Sequence, residues 1–211
     1  MNAGFSNLTA LKIQLLNESL RSDITYDALV AAVGLGVAGL VEGFCNRKFA
    51  RVEADTLTVP GNSRLISLPR YPVEAVTALD YKVRLATDWV DGLGALYNWS
   101  ADAGLLDLSN YLTDKHGQAR VTYTGGYFWE TLEPTDDGYP TTQPDGSAAL
   151  PEAIRSAWII QCEYVWSRRD KLGLSLGAKP EEKRLTNDLG TVDLIPLVQQ
   201  MLKDHIRFAI I

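Results

Sequence analysis

Residues 150–170, LPEAIRSAWIIQCEYVWSRRD, constrain the fold more than any other stretch of this chain. Pro151 stands where a helix accepts proline, in a first turn whose amide hydrogens have no partner, and Glu152 follows where the positive helix end favours a carboxylate. From there to Trp166, apolar or aromatic side chains fall at Ala153, Ile154, Ala157, Trp158, Ile159, Ile160, Cys162, Tyr164, Val165 and Trp166. That is more than one narrow stripe of a helical wheel, so other elements must cover this helix on several sides. Arg168, Arg169 and Lys171 suit its negative end, and Gly173 is placed to stop it.

A chain of 211 residues, 46% hydrophobic and 22% charged, can bury a real core. Its formal net charge of -6 disfavours general affinity for DNA or an anionic membrane. Cys45, Cys162, His116 and His205 are the only cysteines and histidines, too few for a disulfide scaffold and poorly spaced for zinc, so neither metal nor cofactor is expected. The N-terminus lacks a basic stretch followed by an apolar core, and no apolar run is read as long enough to span a bilayer; the expectation is a soluble protein of intracellular origin, without a membrane.

Before the central helix, Leu8, Leu11, Leu15 and Leu16 recur at helical spacing behind a capping Asn7 or Thr9. A second helix is expected over 25–44, where Leu29, Val33, Val37, Leu40, Val41 and Phe44 recur every three or four residues. Gly34, Gly36 and Gly39 inside it spell the glycine pattern of a dinucleotide-binding loop. That loop needs a strand ahead of it, and none is in view, so the glycines are read as points of close approach for another helix. After Phe49 the period changes to short alternating runs between residues 56 and 123, broken by Pro, Gly, Asn and Asp, as expected of a small antiparallel β unit. Pro69 and Pro72 flank Tyr71 where the chain must bend.

Residues 130–149 are rich in Pro, Asp, Thr and Gly. Asp136, Asp137 and Asp145 lack the alternating spacing of a calcium loop, so a solvated loop tip is expected there. Residues 175–191 read as an exposed polar arm. Pro196 opens a final helix with Leu197, Met201, Leu202, His205 and Phe208 near one face. No phosphate-binding loop, nucleophile elbow or Cys–His pairing is evident in the sequence, and an enzyme is the least favoured class. Arg47, Lys48, Arg51 and Arg64 are the one candidate basic patch for a DNA-binding or regulatory module.

Five motifs in order resemble the head–tail connector, or adaptor, proteins of tailed bacteriophages and related prophage or gene-transfer particles. Leu8 to Leu16 resembles the family's opening LxxLK helix. Glu42, Arg47 and Phe49 are similar to its E-x-x-x-x-R-x-F helix exit, and 68–73, LPRYPV, to its LPxxPV turn. Residues 121–127, VTYTGGY, followed by Leu150, Pro151 and the helix to Arg169, resemble its VxYxxGY segment, long helix and terminal arginines. Ile195 and Pro196 through Arg207 resemble its closing helix.

The resemblance implies an α+β protein: a small helical bundle of two N-terminal helices (1–50), a long central helix (150–174) and a C-terminal helix behind a polar arm (175–211). An antiparallel β unit (51–129) and a loop (130–149) are inserted. It implies a structural role without catalysis, as a homo-oligomeric, dodecameric ring under the portal protein of a virion. A stopper or tail-completion protein would be the next partner, and genomic DNA would pass through the lumen without sequence-specific binding. Candidate subunit or portal contacts are Trp158, Trp166, Arg168, Arg169, Leu197, Met201, Leu202 and Arg207. For Trp158 and Trp166 core packing is the alternative, for Arg168 and Arg169 helix-end charge, and for the C-terminal leucines packing within the chain.

Overall fold

The Asn7 side chain accepts a hydrogen bond from the Ala10 amide at 2.8 Å, and behind that cap the chain winds into α1 (Leu8–Leu15). This is a computed structural model, and it describes residues 3–84, 88–92, 97–110, 112–169 and 193–207. α2 (Asp27–Cys45) follows a 3₁₀ turn over Ile24–Tyr26 and ends at Asn46, whose φ of +50° terminates it in the left-handed region. The central helix α3 (Glu152–Ser167) starts behind Pro151, and α4 (Pro196–Leu202) carries its proline in the first turn. The fold is α+β, as expected. Gly173 and the arm over 175–191 lie outside the described residues.

The chain divides into two units. The helical unit comprises Met1–Cys45, Trp129–Thr142 and Leu150–Arg207. Its interior is built from Phe5, Leu11, Val30, Val37, Val41, Ile154, Trp158, Cys162, Val198 and Leu202, each at most 2% exposed. α3 packs against α1, α2 and α4, which is why its sequence is apolar on several sides. Burying side chains of this size contributes roughly 1.5–3 kcal/mol each before entropy is charged against it.

The second unit comprises Asn46–Phe128, Gln143–Ala149 and Phe208–Ile211. Its strands are β1 (Val52–Pro60), β2 (Leu65–Ser67), β3 (Val73–Lys82), β4 (Val90–Asp91), β5 (Tyr97–Ser100), β6 (Leu105–Leu108), β7 (Gln118–Gly125), β8 (Tyr127–Phe128) and β9 (Ala148–Ala149). One antiparallel sheet runs β1-β7-β3-β4 and another β2-β6-β5. Ile66, Leu68, Tyr71, Val73, Leu79, Leu106, Leu108, Val121 and Tyr123, drawn from both sheets and the bend between them, form one core. β8 and β9 pair in parallel, a departure from the all-antiparallel expectation.

Several expectations are corrected. The final helix is shorter than its apolar spacing suggested, seven residues followed by a 3₁₀ turn to His205. Residues 24–45, passed over as too short an apolar run, form a helix long and apolar enough to cross a membrane by length and composition, although one side of it is packed in the helical unit. Asp136, Asp137 and Asp145 are exposed, as expected of a solvated tip, but the loop over 130–149 is tied down at its base. The Leu132 carbonyl accepts from Asn7, the Glu133 carboxylate accepts from the Leu8 and Thr9 amides, Glu130 accepts from Thr141, and the last two residues are β9.

Candidate functional site

Sequence reasoning placed three glycines of α2 at close approaches, and the structure supports that for one. At Gly34 an added Cβ would lie 2.1 Å from the Ala3 carbonyl oxygen and 2.6 Å from Leu11 of α1, so only glycine fits. At Gly36, Gly39 and Gly43 it would meet nothing within 4 Å. The glycine run lies inside a helix, so it is not a phosphate loop, whose amides must be free at a helix start.

Trp158 is a core residue at 1% exposure: its indole N–H donates to the Gly34 carbonyl at 2.9 Å and its ring lies 5.8 Å from that of Phe5. Leu202 is likewise fully buried. Trp166 is 8% exposed, edge-on to Tyr26, with the Arg169 guanidinium 4.7 Å above its ring. Arg168 is exposed and lies 4.3 Å from the Tyr164 ring centre. Leu197 is 57% exposed, Met201 is half-buried, and the Arg207 amide donates to the Cys45 carbonyl, tying the end of the described chain to the end of α2. The accessible members of the set are thus Arg168 and Leu197, with Arg169, Met201 and Arg207 partly so.

One residue that positions these side chains was missed. Gln161 of α3 is fully buried, donates to the Asp193 carbonyl at 3.1 Å and accepts from the Ile195 amide at 3.0 Å. It clamps the strand-like entry to α4 and so fixes where Leu197 points. A glutamine at 161 amid apolar neighbours, flanked by Ile160 and Cys162, was the available signal.

Two of the four cations of the candidate basic patch are committed within the β unit. Arg47 is buried, its guanidinium 3.2 Å from the centre of the Tyr71 ring, and it donates to the Tyr71 carbonyl. Arg51 is held by Glu74 at 2.8 Å and by Glu53, whose carboxylates push its pKa further up. Arg64 is exposed, 3.9 Å from Asp107. Arg47 and Arg51, committed in this way, offer phosphate little, whereas Lys48 and Arg64 are exposed. Asp136 accepts from the Glu133 amide, and among the described residues no group of three His, Cys, Asp or Glu side chains is arranged to hold a metal.

In the β unit a polar triad stands out. Tyr123 is fully buried; its hydroxyl accepts from the Arg70 amide at 3.2 Å and donates to Asp55, which also pairs with Arg70 at 2.8 Å. Burial pushes the Tyr123 pKa up to about 12, helped by the Asp55 charge. The cluster pins the bend at Arg70 to β1 and β7, a structural arrangement without a nucleophile or base in a cleft.

No family model matches the chain, and no curated protein matches it in sequence. Solved structures do. One similar chain is in "Neck of empty GTA particle computed with C6 symmetry", 16% identical, with a TM-score of 0.57 over 97% of this chain and 90% of that one. Another is in "Virion of native gene transfer agent (GTA) particle", 14% identical, with a TM-score of 0.58 and the same coverage. At these identities the likeness is one of fold, and it runs through both units.

Proposed function

We propose that this chain is a structural head–tail connector of a tailed-phage-like particle. Copies form a closed, dodecameric ring beneath the portal protein. The ring joins the DNA-filled head to the neck and tail, with a stopper or tail-completion protein on its far side, and the chain is made in the cytoplasm of the host. The observation that carries this reading is the fold shared over 97% of the chain with components of gene transfer agent necks and virions. Two features agree with it. A net charge of -6 keeps a lumen from gripping the phosphates of passing DNA. The exposed Leu197, with Arg168, Arg169, Met201 and Arg207, offers an apolar and cationic surface for docking on the portal, whereas buried Trp158 and Leu202 support it from within. The role is assembly, not catalysis.

Light scattering on the purified chain, with negative-stain images of the same fractions, tests the proposal. Rings with a central hole, free or formed on added portal protein, are the expected result. A chain that stays monomeric and does not bind portal protein overturns it.

A further inference from the structure

Aspartate is followed by glycine at three places in this chain, Asp91–Gly92, Asp137–Gly138 and Asp145–Gly146. The pairing matters chemically, because a glycine amide nitrogen has no neighbouring Cβ to shield it from the side-chain carboxyl group just before it. Attack of that nitrogen on the carboxyl carbon closes a five-membered ring. In a folded chain the reaction needs a carboxyl group without a partner, an amide without a hydrogen bond, and a backbone that can turn in solvent.

The structure separates the three steps on those conditions. Gly92 is buried and its amide donates to the Leu79 carbonyl at 2.6 Å, next to the pairing of β3 with β4. That nitrogen is committed, and the sheet holds it in place. Asp137, Gly138, Asp145 and Gly146 are all exposed. Among the described residues neither carboxylate has a hydrogen bond or ion pair, and neither glycine amide donates to a protein acceptor. Asp136 differs, since its carboxylate accepts from the Glu133 amide.

Both exposed glycines stand third in a turn. One turn is closed by the Tyr139 amide on the Asp136 carbonyl at 3.3 Å, the other by the Ser147 amide on the Pro144 carbonyl at 3.1 Å. The φ values, +86° at Gly138 and +80° at Gly146, lie in the left-handed region that a turn of this kind reserves for glycine. The turns thus place each aspartate beside the residue type whose amide it reaches most readily.

We propose that Asp137 and Asp145 are sites of spontaneous isoaspartate formation, and that Asp91 is protected by its place in the sheet. The glycine nitrogen bonds to the aspartate Cγ, its proton and the carboxyl hydroxyl leave as water, and a succinimide remains. Water then adds to either ring carbonyl. Cleavage between nitrogen and Cγ restores aspartate; cleavage between nitrogen and the main-chain carbonyl carbon leaves isoaspartate, with the chain routed through Cγ and lengthened by the side-chain methylene. No oxidant, reductant or cofactor takes part. At 145 the added methylene falls in the turn that leads into β9, so the pairing of β9 with β8 weakens as the chain ages.

The test compares the full chain folded and denatured in urea, both held warm in water enriched in oxygen-18 at about pH 6, between the usual carboxylate range and neutrality. Ring opening carries the heavy oxygen into the carboxyl group, and an isoaspartyl-directed methyltransferase marks the product on mapped peptides. The folded chain should label at 137 and 145 and not at 91, and the denatured chain at all three. Equal labelling at 91 in the folded chain overturns the protection. No label at 137 and 145 in the folded chain overturns the proposal, whatever the denatured chain shows. As a second variant, Asp145→Glu would need a six-membered ring, so it should lose the label at 145 and keep it at 137; label retained at 145 would overturn the succinimide route there. None of these outcomes depends on ring assembly, so the connector reading stands or falls separately.

Discussion

Trp158 donates its indole hydrogen to the carbonyl of Gly34 at 2.9 Å, across 124 residues of sequence. The absence of a side chain at Gly34 admits Ala3 and Leu11 beside it. Gly34→Ala is therefore expected to destabilise the chain by about 2–3 kcal/mol through overpacking. Gly36→Ala, on the open side of the same helix, should stabilise the monomer by about 0.5–1 kcal/mol. Urea midpoints of the two variants give the comparison, and equal shifts would show that the two sides of α2 are not distinct.

Gln161 holds two backbone groups that flank α4. Gln161→Leu keeps the volume and removes the side chain that bonds the Asp193 carbonyl and the Ile195 amide, at a cost of about 1–3 kcal/mol. Amide exchange should quicken across Pro196–Leu202 while α1 and α2 stay protected; uniform quickening would mean that the clamp is not local.

The Glu133 carboxylate is pushed up by partial burial, but hydrogen bonds, including those from the Thr9 and Leu8 amides, outweigh this and hold its pKa below the usual range. A folded-state value lowered in this way contributes stability that is complete above the unfolded pKa and drains away as pH falls through the folded one. Loosening of α1 is thus expected below about pH 4, in the usual carboxylate range. Glu133→Gln should lose stability at pH 7 and show a flatter acid limb. Parallel acid titrations of the two chains, followed by circular dichroism, would reveal it.

Tyr123 titrates in the other direction. Its folded pKa, raised to about 12, means that its contribution is whole below the unfolded value near 10 and disappears as pH rises through the folded one. The β unit should therefore unfold between those limits, together with the appearance of tyrosinate absorbance. Tyr123→Phe should cost about 1 kcal/mol at neutral pH and remove much of the alkaline sensitivity. An unchanged alkaline midpoint in the variant would assign the transition to another group.

Leu197 and Leu202 separate docking from packing. With Leu197 exposed, Leu197→Asp should weaken portal binding at least tenfold without moving the melting temperature. The fully buried Leu202 should instead cost about 2–5 kcal/mol on replacement by alanine. Portal binding that survives Leu197→Asp would exclude α4 as the docking element.

Apolar spacing made α1, α2 and α3 readable from sequence, and proline position placed the starts of α3 and α4, because those signals act within a few residues. The bare side of α2 was not legible, since a helix apolar all round gives no clue to which side its own chain covers. Gln161 escaped notice for a related reason: a polar residue declares its partners only when Asp193 and Ile195 are brought to it. The loop over 130–149 looked free because composition reports local preference, while its anchoring by Asn7 and Glu133 is long-range. Of the candidate contact residues, the aromatic ones drew attention by size, and size proved to mark core at Trp158.

The placement of the β unit between α2 and α3 also sets an order of events during synthesis. α1 and α2 are made first, yet the helix that covers them, with Trp158, emerges only after residue 158 of 211. Most of the β unit, whose core residues run from Ile66 to Tyr123, is complete by then. The nascent chain therefore carries a finished β unit beside an unpaired apolar helix hairpin, and domains that emerge early fold early. Over that interval α2 is covered by α1 alone, and the helical part of the molecule is most exposed to chaperones and to misassembly on the ribosome.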